Sequence, residues 1–251
     1  MSMLELTGVT KSFNEFVAVD NFDLSVEKGE LRCLLGPNGA GKSTSIDLIT
    51  GRLKLTSGSV KLDGQVISGL SEHRIARLGV GRKFQVPAVF KDLSVQDNLL
   101  VAATKVKSPF SNMFTFSSRV AGRQARFEQV VELIGLQDRM HVQAGILSHG
   151  ETQWLEIGMV LMDDPRVMLM DEPTAGMTEQ ETHKTSELFN NLKGNHTLIV
   201  VEHDMSFVRE IADIITVMHM GTNLAEGTIA EIENDPRVAE VYLGSEGIGD
   251  A

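Results

Sequence analysis

The stretch Leu31-Arg32-Cys33-Leu34-Leu35-Gly36-Pro37-Asn38-Gly39-Ala40-Gly41-Lys42-Ser43-Thr44-Ser45-Ile46-Asp47-Leu48-Ile49-Thr50 decides how this chain folds. Leu31 to Leu35 read as a strand and Ser43 to Thr50 as a helix, and between them lies the full pattern G-x-x-x-x-G-K-[ST]. Glycines let the backbone turn several N–H groups toward one point, and the helix N-terminus adds its positive dipole there. Lys42 can reach the outer phosphates of a nucleotide, and the Ser43 hydroxyl is placed for a Mg²⁺ ion. Gly36, Pro37, Asn38, Gly39, Ala40, Gly41, Lys42, Ser43 and Thr44 are therefore candidate phosphate-binding residues, and the stretch implies a nucleoside triphosphate.

Outward from this loop, the rest of the chain reads as an α/β protein. Val167 to Met170 and Thr197 to Val201 are apolar without alternation, as strands buried on both faces of a parallel sheet are. Glu179 to Leu192, between them, has helical spacing. Met3 to Val9 and Phe16 to Val26 are strand-like, and Ser57 to Asp63 alternates into an Asp63-Gly64 turn. The middle, from about Pro87 to Asp164, is mostly helical, with Val95 to Thr104, Arg119 to Ile134 and Glu151 to Met162 as its periodic segments.

Composition bounds the function. The 251 residues are 42% hydrophobic and 23% charged, which suits one globular unit with a sizeable core. No apolar run approaches the roughly 18–20 residues of a membrane span, and Met1 to Gly8 lacks the pattern of a signal peptide. The lone Cys33 sits in the first strand as a small buried hydrophobe. A net charge of −11 argues against nonspecific binding to nucleic acid or anionic lipid. The expected location is cytoplasmic; if the protein works at a membrane, another protein holds it there.

Further residues suit phosphate chemistry. Asp171 and Glu172 end the Val167 strand, and in open α/β sheets ligands sit at such ends. Asp171 would hold Mg²⁺ through water, and Glu172 would orient and polarise an attacking water; the bland alternative is an acidic pair capping the next helix. His203 follows the Thr197 strand and could contact a γ-phosphate, although a lone histidine is more often structural. Ser148 and Gly150 open the Glu151 helix as a second anion site. Locally an ordinary serine cap explains them; a symmetric dimer, each phosphate loop facing the partner's helix, gives such a second site a use.

Together these residues make the chain resemble the nucleotide-binding subunit of an ATP-binding cassette (ABC) transporter over essentially its whole length. Gly36 to Thr44 is similar to the Walker A loop, Val167 to Glu172 to the Walker B strand with its catalytic glutamate, and His203 to the switch histidine. Gln85 is similar to the glutamine of the loop that relays nucleotide state and touches the metal. Phe13 falls where the family stacks an aromatic on adenine, a contact worth about 1–3 kcal/mol. Ser148 to Glu151 resembles the signature Leu-Ser-Gly-Gly-Gln but carries His149 for a glycine and Glu151 for the glutamine; Glu151 could still accept from a ribose hydroxyl. Thr178 stands where many members carry aspartate.

The resemblance implies a P-loop NTPase core with a mainly parallel sheet, an N-terminal antiparallel β subdomain and an inserted α-helical subdomain. About 1–86 and 165–251 would form the core and about 87–164 the helical part of a single ATPase domain. It implies ATP and Mg²⁺ as cofactors and a second ATPase subunit as partner, identical or related. It also implies transmembrane permease subunits, with a solute-binding protein reached indirectly, at the cytoplasmic face of the membrane. Two ATP molecules would be clamped between two chains, each γ-phosphate meeting Lys42 and His203 of one and Ser148 and Gly150 of the other. Val86 to Asp97 would receive a helix of the permease; the uncharged aromatic stretch Ser108 to Ser118 would dock on the membrane partner or the bilayer edge, or else pack on the helical subdomain.

Within the family, Arg82 to Gln85, Phe90 to Val95 and Asp235 to Gly244 resemble the branched-chain amino acid and urea importer subgroup. The run Ser148 to Met159 is most similar to the urea importer's ATPase, so urea is the expected cargo. The alternatives are a branched-chain amino acid importer, a lipid or lipopolysaccharide exporter, and a soluble non-transport ABC switch.

Overall fold

The computed structural model describes residues 2–83, 89–103 and 116–246. Gln85, residues 86–88 of the expected permease-docking segment, and Phe110, Met113 and Phe114 lie outside the described residues. The chain divides into two units: Met1–Arg82, Arg166–Pro173 and Leu192–Ala251 form one, and Lys83–Pro165 with Thr174–Asn191 form the other.

The first unit holds both sheets. In one, β1 (Ser2–Phe13), β2 (Phe16–Glu27), β4 (Ser57–Leu62) and β5 (Gln65–Val66) pair antiparallel in the order β2-β1-β4-β5. β1 outruns the expected Met3–Val9 because register shifts beyond Leu6 break the alternation without ending the pairing. Asp63 and Gly64 both take positive φ, 48° and 75°, as a two-residue hairpin turn requires.

The other sheet runs β10-β9-β3-β8-β7-β6, with β3 (Leu31–Leu35), β6 (Val80–Arg82), β7 (Val167–Asp171), β8 (Thr197–Val201), β9 (Ile214–His219) and β10 (Thr222–Gly227). All its pairs are parallel except β9 with β10. Every residue of β3, β7 and β8 is buried, which is why these strands read as unbroken apolar runs. The polar exceptions are Arg32 and the end residues Asp171 and Thr197; Arg32 is buried with its guanidinium on Glu30 at 2.6 Å, Glu226 at 2.6 Å and the Thr216 hydroxyl at 2.8 Å. Helix α1 (Lys42–Ile49) lays Ile46 and Ile49 into a core shared with Leu4, Phe22, Leu34 and Leu169. Removing one such leucine to alanine typically costs about 2–5 kcal/mol. Short helices α2 (Glu72–Arg77), α7 (Met205–Ile211), α8 (Ile229–Glu233) and the C-terminal α9 (Pro236–Glu246) complete this unit.

The second unit is helical: α3 (Val95–Ala102), α4 (Phe116–Ile134), α5 (His149–Leu161) and nearly all of α6 (Glu179–Leu192). Ser94 caps α3, accepting from the Asp97 N–H at 3.0 Å. Buried Trp154 donates its indole N–H to Thr185 Oγ1 at 2.9 Å, joining α5 to α6. Lys83 and Glu156 form an ion pair at 3.6 Å with both side chains almost fully buried.

Candidate functional site

The phosphate loop is built by the step from β3 to α1. Gly36 takes φ 141°, and a Cβ there would lie 2.2 Å from the Met218 carbonyl oxygen, so only glycine lets the chain leave β3 this close to β9. Within the loop Ala40 N–H donates to Pro37 O at 3.1 Å, and Gly221 N–H donates to Ala40 O at 3.0 Å. Gly41 is the N-cap of α1 and no side chain caps it, which leaves the first-turn amides to face a phosphate. Lys42 Nζ donates to the carbonyls of Gly36 at 2.6 Å and Pro37 at 3.0 Å. Burial pulls its pKa below the usual lysine range, while Glu172 and Asp171 oppose that.

Over this loop lies a cavity of about 210 Å³ lined by Asn38 to Thr44, Glu172, Val201, Ala18 and Phe16. Phe13, the expected adenine platform, is 42% exposed with Lys11 Nζ 4.8 Å from its ring centre, and it is not among the lining residues. Its cross-strand partner Phe16 is, at 64% exposure. Sequence reasoning missed Phe16; its signal was a second aromatic across the Asn14-Glu15 turn.

Asp171 ends β7 almost fully buried, and among the described residues neither carboxylate oxygen has a hydrogen-bond partner. Burial pushes its pKa above the ordinary carboxylate range, with Arg82 opposing, Glu172 reinforcing and the Ser43 hydroxyl opposing. A buried carboxylate with uncommitted oxygens, beside a serine hydroxyl at a phosphate loop, fits a hard cation such as Mg²⁺. Among the described residues no cluster of three or more His, Cys, Asp or Glu could hold a metal, so this one would rely on Ser43 and phosphate oxygens besides Asp171.

Glu172 follows with φ 48°, an uncommon conformation for a non-glycine residue, held by its N–H donating to Val201 O at 2.9 Å. Its carboxylate Oε1 lies 3.8 Å from His203 Nδ1. His203 is also 3.9 Å from Glu202 Oε2, and its N–H donates to that same carboxylate at 3.1 Å. Thus Asp171, Glu172 and His203 sit at or just past the carboxyl ends of β7 and β8, and Lys42 and Ser43 open α1 after the loop that leaves β3.

In the helical unit Ser148 caps α5, accepting from Glu151 N–H at 3.1 Å, and Glu151 Oε2 accepts from Ser148 N–H at 2.9 Å. The other Glu151 oxygen accepts from Arg139 Nε at 2.9 Å. The unusual His149 places Nε2 2.8 Å from the carbonyl of Ala175. Both departures from the signature pattern thus have partners inside this unit.

Comparison with known proteins agrees with this architecture. The family model "ABC transporter" matches residues 19–175, and "Branched-chain amino acid ATP-binding cassette transporter" matches residues 222–248. The chain is 37% identical to the high-affinity branched-chain amino acid transport ATP-binding protein BraF of Pseudomonas aeruginosa, over 96% of this chain and 98% of BraF. It is 39% identical to the corresponding protein LivG of Escherichia coli K12, again over 96% and 98%. Among solved structures it superposes on the ADP conformation of MJ1267, an ATP-binding cassette of an ABC transporter. That match has a TM-score of 0.84 and 31% identity over 97% of this chain and 99% of the other. The expected P-loop NTPase fold with a helical subdomain is therefore present. The expected urea cargo finds no support: the relatives are named for branched-chain amino acids, the alternative reading.

Proposed function

Because the chain belongs to the ABC transporter family as an ATP-hydrolysing subunit, we propose that it powers import of branched-chain amino acids. The observation that carries this reading is the match of residues 222–248 to the branched-chain amino acid cassette model, joined to full-length similarity to proteins named for that cargo. The working assembly is a dimer of ATPase subunits, identical or related, under permease subunits at the cytoplasmic face of the membrane. Among the described residues no helix is long and apolar enough to cross a membrane itself.

The loop amides and Lys42 bind the phosphates, with Lys42 exchanging its two carbonyl partners for phosphate oxygens. Adenine rests first on Phe16, which lines the cavity at the end of the β1–β2 hairpin, with its cross-strand partner Phe13 adding less. Asp171 and Ser43 would hold the Mg²⁺ ion, which supplies charge neutralisation to the β- and γ-phosphates when bound. Glu172, pointed outward by its left-handed backbone, orients a water and takes its proton at the carboxylate. His203, beside it, holds the γ-phosphate through its imidazole. Ser148 and Gly150 of the partner subunit, at the start of α5, close over the same phosphate.

Uptake of labelled leucine and labelled urea in the native cell, with the parent chain and with Lys42→Ala, tests the cargo. The reading requires loss of leucine uptake with urea uptake intact. Loss of urea uptake alone returns the protein to the urea branch, and loss of neither ends the import assignment.

A further inference from the structure

The groups that make the start of α5 an anion site are engaged within the chain. The Ser148 hydroxyl donates to Glu181 Oε1 at 3.0 Å, and Gly150 N–H donates to the same oxygen at 3.2 Å. The second oxygen, Oε2, accepts from the N–H and the hydroxyl of Thr178, both at 3.0 Å, at the start of α6. One carboxylate therefore bridges the N-terminal ends of two helices, where both dipoles favour negative charge. Thr178 N–H foremost, with the Ser148 hydroxyl and Gly150 N–H adding, holds the carboxyl below the usual range, so it is ionised at neutral pH.

The fit is close. A Cβ on Gly150 would stand 2.5 Å from the Glu181 carboxyl carbon and from Oε1, so glycine is what admits the acid to this position. Glu181 is only partly buried, so a competing anion can reach the same donors. Thr178, odd at its position by the family pattern, acquires a role here as the second anchor of the bridge. His149 supports it from the side through the Ala175 carbonyl.

We propose that Glu181 is a resident competitor for the γ-phosphate: its carboxylate fills the signature anion site of each chain, and ATP carried by the partner must displace it before the dimer can close. This rests on the proposed reading in which Ser148 and Gly150 meet the partner's phosphate. Two anions cannot share one hydroxyl and one amide, so displacement also breaks the Thr178–Glu181 link to α5, leaving the His149–Ala175 contact as the remaining tie. The acid thus sets the ATP level at which clamping begins and ties signature occupancy to the Ala175–Thr178 loop. A terminal phosphate is required; ADP on the facing chain leaves the bridge in place.

The test is ATP-driven dimerisation followed by analytical ultracentrifugation in a Glu172→Gln background, comparing Glu181→Ala, Glu181→Gln and Ser148→Ala. Removing the competitor lowers the ATP concentration for half-dimerisation by about tenfold for Glu181→Ala, with Glu181→Gln in between, as expected when a closed minor state becomes the main one. ADP binding to the single chain stays as in the parent. Loss of a mere helix cap would move the midpoint the other way or leave it alone, so an unchanged or raised midpoint in both Glu181 variants overturns the proposal. Ser148→Ala separates the two levels: it raises the midpoint if the signature meets the partner's phosphate. No effect of Ser148→Ala removes that reading and this inference with it, whereas a raised midpoint with inert Glu181 variants removes the inference alone.

Discussion

The carboxylate of Glu172 and the imidazole of His203 face each other at 3.8 Å, one from the end of β7 and the other from the end of β8, which pair as parallel neighbours. The register that sets Asp171 beside Val201 makes this meeting unavoidable, because each residue is the next or next-but-one past its strand. On the proposed reading, a base and a phosphate contact so placed would address one water and one phosphate. His203→Ala should lower the ATPase rate by roughly 10²–10³-fold, the usual cost of losing one transition-state contact. Nucleotide binding to the single chain should change little, and steady-state kinetics beside equilibrium binding will check both.

Asp171 predicts a trade between stability and activity. Its folded-state pKa is raised, so its favourable contribution to stability is present below the unfolded carboxylate pKa and is lost as pH rises through the folded value. Above that value, without metal, the buried charge is a cost, and Asp171→Asn should raise the melting temperature by about 2–4 °C for each kcal/mol relieved. The gain should vanish below about pH 4, where the parent is protonated as well. The same variant should lose ATPase activity. Melting curves across pH, in chelator, decide the point.

The aromatic pair at the β1–β2 turn predicts unequal losses. Phe16 lines the cavity over the phosphate loop and Phe13 does not. Phe16→Ala should weaken ATP binding by about 1–3 kcal/mol, the range for a base resting on an aromatic ring. Phe13→Ala should cost less. Fluorescent nucleotide titration of both variants will rank them, and the reverse order would restore Phe13 as the adenine platform.

The buried Lys83–Glu156 pair predicts a large but repairable loss. Glu156→Ala removes a buried ion-pair partner of Lys83 and should destabilise the protein by about 3–5 kcal/mol. Replacing both by Met and Leu should recover most of that, because two well-packed apolar groups remove the desolvation cost together. Urea unfolding of the single and double variants measures it.

Much of this was legible in the chain itself, for physical reasons. β3, β7 and β8 are buried on both faces, so nothing masks their apolar runs, and α6 carries a strong helical period. The phosphate-loop residues are close in sequence because the loop is a local turn. β6 was not legible: it has three residues, Val80 to Arg82, and exists because β7 pairs with it. Phe16 escaped because an exposed aromatic gains meaning only once the hairpin folds over the loop. His149, Glu151 and Thr178 stood out as odd residues; the partners of the first two, Ala175 and Arg139, lie 26 and 12 residues away and meet them in the fold, whereas Thr178 bonds Glu181 three residues on, which in turn reaches Ser148. Cargo was read from the start of α5 and pointed to urea; the C-terminal match and the full-length relatives point to branched-chain amino acids.

On the proposed mechanism, Glu172 drives hydrolysis inside an ATP-clamped dimer. Glu172→Gln removes the base while keeping the shape, and it should slow turnover by about 10²–10⁴-fold. Sedimentation of that variant with saturating ATP and Mg²⁺ is the most direct measurement. A stable dimer holding two unhydrolysed ATP molecules is the expected result. A chain that remains monomeric under those conditions, or one that dimerises and still hydrolyses ATP at the parent rate, would contradict it.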